Sequence, residues 1–385
     1  MKAGEDGHFS LEGEKEGTFS STSYKRMAEF KTPISKKTKS VMPNTQETPN
    51  KLVIPPSPCM KQLGYGTGVT VYLMERFSPI HDCYSSPWAV KKLNRKIKDR
   101  TGEYTKRLSF EADILKNLNH KNIIGYRSYQ HNKDGSQCLA MESGEKSLAD
   151  LIEAWQEADL GPFSPQKILK VARDISSALT YLHEEKHLLH GDLKSSNILI
   201  KGNFEVAKLC DFGVTLKLNE YGVACDEDQE YVGTECWSAP EALIGETVTH
   251  KSDMFSFGLI LWEMLSLRPP HIDKLEVNDT IPDDVRQSDL DDSDVSEFQN
   301  VLGTRPCLPN VVLDDDYLHV LEIFYACTEA EPHKRPSAKQ IMHILHCFEE
   351  DIKDKIENKE TGHGKLGDKD TDEPTEVNGK IIEDK

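Results

Sequence analysis

The chain has 385 residues, a net charge of −18 and 37% hydrophobic residues. This length predicts two or three structural units with a sizeable core, and no apolar run approaches the ~18 residues of a membrane span. The richest apolar stretch, Leu259 to Leu265, is interrupted by Glu263. The charged, Gly-containing start is unlike a signal peptide, and the nine cysteines form no Cys-x-x-Cys pair. We therefore expect a cytosolic or nuclear protein without a disulfide framework or zinc site.

The negative charge is concentrated in two segments. Residues 273–297 hold ten acidic and two basic residues, and residues 349–385 hold thirteen acidic and seven basic residues. Acidity on this scale argues against nucleic-acid binding by the whole chain. Residues 273–297 lack periodicity, which predicts a solvated insert; attraction of basic substrates or partners is the alternative interpretation.

Residues 1–57 are polar and rich in Ser, Thr, Pro and Lys, which predicts a disordered arm. Thr32-Pro33, followed by Lys36 and Lys37, resembles a site for a proline-directed kinase, so Thr32 is the phosphorylation candidate. An unmodified, solvated arm is the alternative. A nuclear import signal that includes the same lysines is a further alternative.

The first motif in chain order is a Gly-rich turn between β-branched residues. It reads Leu63-Gly64-Tyr65-Gly66-Thr67-Gly68-Val69-Thr70-Val71. Glycines let backbone amides approach phosphates closely, although such a turn alone is weak evidence. No Gly-Lys-Ser/Thr follows, which excludes a Walker A loop.

A predicted strand, Trp88 to Lys92, follows, with Lys91 twenty residues beyond Val71. Residues 106–118 have helical periodicity, and Glu111 lies in them, twenty residues beyond Lys91. Residues 138–142 predict a buried strand. Ser164-Pro165 predicts the capped start of a core helix that carries apolar positions to Leu182.

Two polar motifs come after this helix. The first is His190-Gly191-Asp192-Leu193-Lys194-Ser195-Ser196-Asn197, and Asp211-Phe212-Gly213 begins fourteen residues after Asn197. Asp192 can accept a hydroxyl proton, Lys194 can neutralise a transferred phosphoryl group, and Asn197 with Asp211 can hold Mg²⁺.

The pattern H-x-D-x-K-x-x-N followed by D-F-G, in this order and spacing, resembles eukaryotic protein kinases. Residues 232–241, Val-Gly-Thr-Glu-Cys-Trp-Ser-Ala-Pro-Glu, resemble the end of the activation segment in Ser/Thr kinases. The resemblance covers about residues 58–349, and within the kinases it is closest to those related to MAP kinase kinases.

The resemblance implies an α+β, two-lobed protein kinase fold. The expected kinase domain spans 58–349, with a small β-rich N-lobe over about 58–145 and a helical C-lobe over about 146–349. Residues 350–385 are expected to form a disordered, charged tail.

The resemblance also implies roles for individual residues. Asp192, Lys194, Lys91 and Glu111 are the catalytic candidates, with Lys91 and Glu111 as an ion pair. Asn197 and Asp211 are the metal candidates. The nucleotide-binding candidates are Leu63, Gly64, Tyr65, Gly66, Thr67, Gly68, Val71, Ala89, Lys91, Met141 as gatekeeper, Glu142, Gly144 and Leu199.

Three structural contacts follow from the same resemblance. Thr234 is expected to contact Asp192 and Lys194. Glu241 is expected to pair with Arg335, and Asp253 to brace the backbone of the catalytic loop.

The implied activity is transfer of the ATP γ-phosphoryl group, with Mg²⁺, to Ser or Thr of proteins, with Tyr left open. The resemblance links this activity to MAP kinase signalling and mitosis, with MAP kinases among the candidate substrates. A pseudokinase scaffold that binds nucleotide and partners is the alternative. We expect no PDZ binding from the terminus Glu383-Asp384-Lys385, because PDZ ligands end in Ser/Thr-x-apolar.

Gly191 departs from the kinase pattern, which has Arg at this position to receive a phosphate from the activation segment. Glycine has no side chain for that contact. We therefore hypothesise control by another route, such as the acidic stretch from Glu220 to Glu230 or the N-terminal arm.

Overall fold

The structure, a computed structural model, describes residues 60–66, 69–78, 83–93, 102–131, 137–225, 230–272 and 300–348. Thr32 and the predicted arm, the acidic insert at 273–297 and the tail at 350–385 lie outside the described residues. Within the described ranges, no helix has the length and apolar character needed to cross a membrane.

The first part of the described chain forms a five-stranded antiparallel sheet in the order β1-β2-β3-β5-β4. Its strands are β1 (Met60–Gly66), β2 (Val69–Ser78), β3 (Cys83–Leu93), β4 (Tyr126–His131) and β5 (Gln137–Glu142). The strand predicted at residues 138–142 is therefore present, and Gln137 to Met141 are buried as expected.

Alternation along β3 sorts its side chains onto two faces. Trp88 and Val90 join a small cluster on one face, with Met74, Cys138 and Ala140. Ala89 belongs to the main core on the other face. Lys91 is two residues further along the strand and therefore lies on the same face as Ala89. The two-residue period of the strand thus places Lys91 on the face of the sheet that borders the main core, between the sheet and the helices.

Helix α1 (Glu103–Lys116) follows the three-stranded part of the sheet. It begins three residues before the predicted range of 106–118 and ends two residues earlier. Glu103 in its first turn and Lys116 in its last complement the helix dipole, which favours these bounds. Leu108, Glu111, Ala112 and Leu115 form its buried face.

The rest of the described chain is mainly helical. Its helices are α2 (Leu148–Glu157), α3 (Pro165–Thr180), α4 (Pro240–Leu243), α5 (His250–Ser266), α6 (Leu318–Cys327) and α7 (338–348). Its short strands are β6 (Lys146–Ser147), β7 (Leu188–Leu189), β8 (Ile198–Lys201), β9 (Val206–Leu209) and β10 (Leu216–Lys217). Strands β6, β8 and β9 form one sheet, and β7 pairs with β10.

Helix α5 lies at the centre of this helical part, and every residue from Ser252 to Leu265 is buried. Thr249 caps its start, because its side chain accepts a hydrogen bond from the Lys251 N–H. Any polar side chain in a helix that is buried on every side needs a hydrogen-bond partner.

The predicted core helix begins where expected, at Pro165, but differs from the prediction in its capping and at its end. Ser164 stands at the N-cap position of α3, but its side chain makes no capping hydrogen bond. After Thr180 the backbone widens into a π-helical turn, Tyr181–Lys186, which ends at His187 with a φ of 52°. The positive φ turns the chain into β7 and the catalytic loop.

Candidate active site

Lys91 stands between two carboxylates that come from different parts of the fold. Its Nζ lies 2.8 Å from Glu111 Oε2 on α1 and 2.9 Å from Asp211 Oδ1, which follows β9. The lysine side chain is 10% exposed. The ion pair expected between Lys91 and Glu111 is therefore present, and Asp211 joins it.

The pKa shifts of this trio have clear causes. Burial alone would lower the pKa of Lys91, but the Glu111 and Asp211 carboxylates raise it above its ordinary value, so the lysine stays charged. Burial raises the pKa of Glu111 despite the opposing effect of Lys91. Desolvation would also raise the pKa of Asp211, but Lys91 outweighs it and holds that pKa below its ordinary range.

Asp211 has a left-handed backbone, with a φ of 65°. Aspartate tolerates this conformation better than most residues. Phe212, which follows, is fully buried and meets the His190 ring edge-on, with ring centroids 5.2 Å apart. The turn at Asp211 is thereby tied to the catalytic loop.

The catalytic loop is held by Asp253 of α5, as expected. The His190 and Gly191 N–H groups donate to the Asp253 carboxylate at 2.9 and 3.0 Å. His183 Nε2 lies 2.8 Å from the same carboxylate. Burial would raise the pKa of Asp253, but the hydrogen bond and charge of His183 keep it below its ordinary value.

Asp192 lies at the centre of a polar cluster. Its Oδ1 accepts from the Thr234 hydroxyl at 2.6 Å and the Thr234 N–H at 3.1 Å. Its Oδ2 lies 2.8 Å from Lys194 Nζ and accepts from Asn197 Nδ2 at 3.1 Å. Lys194 Nζ also donates to the Thr234 hydroxyl at 2.7 Å. The contacts predicted for Thr234 are therefore both present.

The end of the activation segment is anchored by Glu241 and Arg335. The two guanidinium nitrogens reach the two carboxylate oxygens at 2.7 and 2.8 Å, a bidentate pair. Both side chains are buried, at 3% and 0% exposure. Burial would raise the pKa of Glu241, but the Arg335 hydrogen bonds hold it below its ordinary value. This predicted pair is also present.

The nucleotide-binding candidates lie around the five-stranded sheet. Gly64, Tyr65 and Gly66 are in β1, whose pairing with β2 shifts register between Gln62 and Gly64. Leu63 is 47% exposed. Thr67 and Gly68 lie outside the described residues.

The other nucleotide candidates meet where the sheet joins the helical part. Ala89 pairs with Met141 across β3 and β5, and both are buried. Val71 pairs with Lys91. Leu199 lies against Gly144, where an added Cβ would stand 2.8 Å from the leucine side chain. Glycine is therefore the residue that fits this approach.

Glu142 differs from its expected surroundings. Its N–H donates to the Gly125 carbonyl at 2.7 Å, so that donor is already used within the protein. Its side chain contacts Lys201 of β8 and Lys208 of β9, the latter at 3.1 Å. The rest of the backbone from Glu142 to Gly144 stays the candidate hinge for a nucleotide.

A sequence model of the family described as Protein kinase domain matches residues 59–346. The chain belongs to the protein kinase family. Members of this family transfer the γ-phosphoryl group of ATP with the help of divalent metal ions.

Three curated relatives place this kinase more closely. It is 47% identical over 331 residues to the human lymphokine-activated killer T-cell-originated protein kinase, covering 85% of this chain and 99% of that protein. It is 27% identical to serine/threonine-protein kinase STY17 of Arabidopsis thaliana, over 68% of this chain and 40% of the relative. MAP3K epsilon protein kinase 1 of the same plant is 30% identical over 60% of this chain and 15% of its own length.

Sequence reasoning missed one polar link in this kinase. Glu263, which had stood out only as an interruption of an apolar run, contacts Ser195 of the catalytic loop and Trp237 of the activation segment. An acidic residue inside a fully apolar stretch was the available signal. Its partners were not predicted, because no motif in the sequence linked Glu263 to Ser195, 68 residues away, or to Trp237, 26 residues away.

Proposed function

We propose that this kinase transfers the γ-phosphoryl group of Mg-ATP to Ser and Thr hydroxyls of proteins. The observation that supports this most is the cluster of Asp192, Lys194 and Thr234, formed while the Lys91–Glu111 ion pair is also closed. These two groups of contacts bring together the residues that resemble the family's catalytic set.

The donor set fits a magnesium nucleotide. Asn197 uses Nδ2 for both of its contacts with Asp192, which leaves its amide oxygen to a cation. Among the described residues, Lys91 and the Gly213 N–H both contact Oδ1 of Asp211, which leaves Oδ2. An amide oxygen and a carboxylate oxygen are ligands that Mg²⁺ prefers. When bound, Mg-ATP supplies the phosphoryl group and neutralises much of its charge.

The chain's own residues then divide the work. Asp192 orients the acceptor hydroxyl and takes its proton, and Lys194 neutralises charge on the transferred group. Lys91 holds the nucleotide phosphates, and Glu111 fixes the lysine. This is catalysis by positioning and charge neutralisation.

Preference for Ser and Thr is supported by Lys194 in the catalytic loop and by the residues from Gly233 to Glu241. The name of the STY17 relative also specifies a serine/threonine kinase. We further propose MAP kinases as substrates, a role in mitotic or MAP kinase signalling, and a cytoplasmic or nuclear location. Phosphorylation of Thr32 by a proline-directed kinase belongs to the same proposal.

The alternative is a pseudokinase scaffold. It is favoured by Gly191 and by the Gly-rich turn, which has Val69 where the kinase pattern has its third glycine. However, residue 191 contributes its backbone N–H to the loop, through the bond to Asp253. The missing side chain therefore bears on regulation and leaves the proposed chemistry intact.

The test is transfer of labelled phosphate from Mg-ATP to a generic basic protein and to a MAP kinase, followed by identification of the phosphorylated amino acid. Asp192→Asn is the comparison, because loss of a general base costs about 10²–10⁴-fold in rate. We expect phosphoserine and phosphothreonine, with that loss in the variant. If neither protein transfers phosphate while Mg-ATP still raises the melting temperature, the result would favour the scaffold.

A further inference from the structure

A small apolar cluster lies on the face of the five-stranded sheet that points away from the main core. This outer cluster consists of Met74, Trp88, Val90, Cys138 and Ala140. None of the five residues is more than 3% exposed. The main core borders the opposite face of the sheet, so it does not bury these side chains. Another layer of the molecule must therefore cover the outer cluster.

The described residues supply only part of that layer. The Arg76 guanidinium lies 4.2 Å from the centre of the Trp88 ring, and Lys92 Nζ lies 5.7 Å from the centre of the Tyr72 ring. Within the described ranges, no part-buried apolar side chain packs against the outer cluster, although several pack against the main core. We therefore expect the rest of the cover to come from residues outside the described ranges.

The indole of Trp88 adds a polar requirement to this cover. Its Nε1–H is buried and has no hydrogen-bond partner among the described residues. A buried donor that stays without a partner is costly, so the covering segment should bring a hydrogen-bond acceptor. A segment with both apolar side chains and unpaired carbonyl groups meets both needs.

The chain directly before β1 has this chemistry. Residues 52–58, hereafter the Pro-rich segment, read Leu-Val-Ile-Pro-Pro-Ser-Pro and carry no charge. Their first three residues are aliphatic. Three prolines within four residues favour an extended polyproline conformation, in which the carbonyl groups have no internal partners. Segments of this kind dock on surfaces lined by aromatic side chains.

The Pro-rich segment also starts beside the outer cluster. Met60, the first residue of β1, pairs with Met74, and Met74 pairs with Trp88. Neighbouring strands lie about 4.8 Å apart, so Trp88 is about 10 Å from β1 across the sheet. Ile54 is six residues before Met60, and six extended residues span up to about 20 Å. The prolines lack the N–H groups that would extend β1 along β2, so the chain can turn onto the face of the sheet.

We propose that the outer face of the five-stranded sheet is the docking surface for the chain's own Pro-rich segment. The aliphatic residues of the segment cover the outer cluster, and a carbonyl group of the proline run accepts the Trp88 Nε1–H. This docking holds the start of β1, the edge strand that carries the nucleotide-binding candidates Gly64 and Gly66. It does not depend on phosphoryl transfer.

Photo-crosslinking of the full-length chain tests the docking directly. A benzophenone amino acid replaces Ile54, and mass spectrometry identifies the crosslinked peptides in an equal mixture of isotopically light and heavy chains. We expect light–light and heavy–heavy links to the peptides of β2, β3 or β5 that carry the outer cluster. Mixed light–heavy links would assign the face to a second copy of the chain and overturn the proposal. An absence of links to these three strands would also overturn it.

A double-mutant cycle tests the same contact by stability. The triple variant Leu52→Ser/Val53→Ser/Ile54→Ser is combined with Val90→Ala, and denaturant titration gives the unfolding equilibrium constants. Contacting residues are not additive, so we expect the two changes to be coupled by about 2–100-fold. Leu139→Ala is the matched control, because Leu139 is fully buried in the neighbouring strand but belongs to the main core. Additive losses with Val90→Ala, or equal coupling with Leu139→Ala, would contradict the proposal.

Trp88→Phe tests the acceptor for the indole N–H. Trp262→Phe is its control, because Trp262 is also buried and donates its indole N–H to the Cys307 carbonyl at 2.8 Å. Both variants lose the same part of the ring and one indole N–H, so their melting temperatures should fall by similar amounts, about 2–4 °C or more. A clearly smaller fall in Trp88→Phe would show that its indole N–H has no acceptor and would overturn the proposed hydrogen bond.

Discussion

Gly191 combines a left-handed backbone with a close neighbour. Its φ is 80°, and an added Cβ would stand 3.0 Å from the Val214 carbonyl oxygen. Any other residue therefore meets two costs, one from backbone conformation and one from the contact. The same glycine gives up the side chain that receives a phosphate in related kinases.

Gly191→Ala should lower the free energy of unfolding by about 1–3 kcal/mol, measured by denaturant titration. Gly245→Ala is the matched control, because Gly245 has a φ of 72° and nothing within 4 Å of an added Cβ. It carries the backbone cost alone, about 1–2 kcal/mol. Equal losses in the two variants would mean that the contact with Val214 does not matter.

At the scale of elements, Glu142 connects the sheet to the β8–β9 hairpin. It accepts from the Gly125 N–H at 3.1 Å and contacts Lys201 and Lys208. Burial would raise the pKa of Glu142, but the hydrogen bonds of the two lysines hold it below its ordinary value. These contacts hold the hinge, which lies beside the nucleotide-binding candidates, to the β8–β9 hairpin.

Lys208→Met should lower the unfolding free energy by about 1–3 kcal/mol, because it leaves a part-buried carboxylate with one cation fewer. Thermal unfolding measures the change. Lys334→Met is the control, since Lys334 pairs with Glu331 at 2.8 Å but both side chains are more than half exposed. A control variant that loses as much as Lys208→Met would contradict the importance of the hinge contact.

Glu263 of helix α5 should make the free energy of unfolding of the kinase depend on pH. Burial raises its pKa to about 7 in the folded protein, from about 4.5 in the unfolded chain. The folded state therefore binds the proton more tightly. The stability from this proton is fully present below about pH 4.5 and is lost as pH rises through 7, a change of about 3 kcal/mol.

Denaturant titrations at pH 5 and pH 8 measure this effect. The unfolding free energy of wild type minus that of Glu263→Gln should be about 2–3 kcal/mol larger at pH 5 than at pH 8. Trp262→Phe removes no titrating group, so its difference from wild type should not depend on pH. A pH-independent difference for Glu263→Gln would mean that its pKa is not raised.

The resemblance of the sequence motifs to those of protein kinases predicted several contacts of the candidate site. The pairing of Lys91 with Glu111 was predictable in this way, because their separation of twenty residues resembles the kinase pattern. The link through Glu263 was not predictable, because tertiary packing determines which residues contact Glu263. The shifted start of α1 and the uncapped Ser164 show the same limit, since neighbouring elements set helix ends as much as local residues do.

At the scale of the molecule, the Lys91–Asp211 contact joins the five-stranded sheet to the helical part. The contact also stands where the donor set fits Mg-ATP. A ligand held from both sides should stabilise the whole fold, because binding to the native state alone raises the unfolding free energy.

Mg-ATP at about 100 times its dissociation constant should add about 2.7 kcal/mol to the stability of wild type. The measurement is thermal unfolding with Mg-ATP, with Mg²⁺ alone, and with ATP and a chelator. Asp211→Asn should lose most of the difference between ATP with and without Mg²⁺. An unaltered Mg²⁺-dependent shift in this variant would contradict the metal role proposed for Asp211.

Asp192, Lys194 and Thr234 are already in contact, and Gly191 has no side chain to receive a phosphate, so we expect transfer without phosphate on the activation segment. The most direct measurement is phosphoryl transfer from Mg-ATP to a protein substrate by phosphatase-treated wild type, beside Asp192→Asn treated in the same way. We expect treated wild type to keep its rate within about twofold and the variant to lie about 10²–10⁴-fold lower. Transfer that disappears on phosphatase treatment and returns on rephosphorylation of the activation segment would contradict the claim.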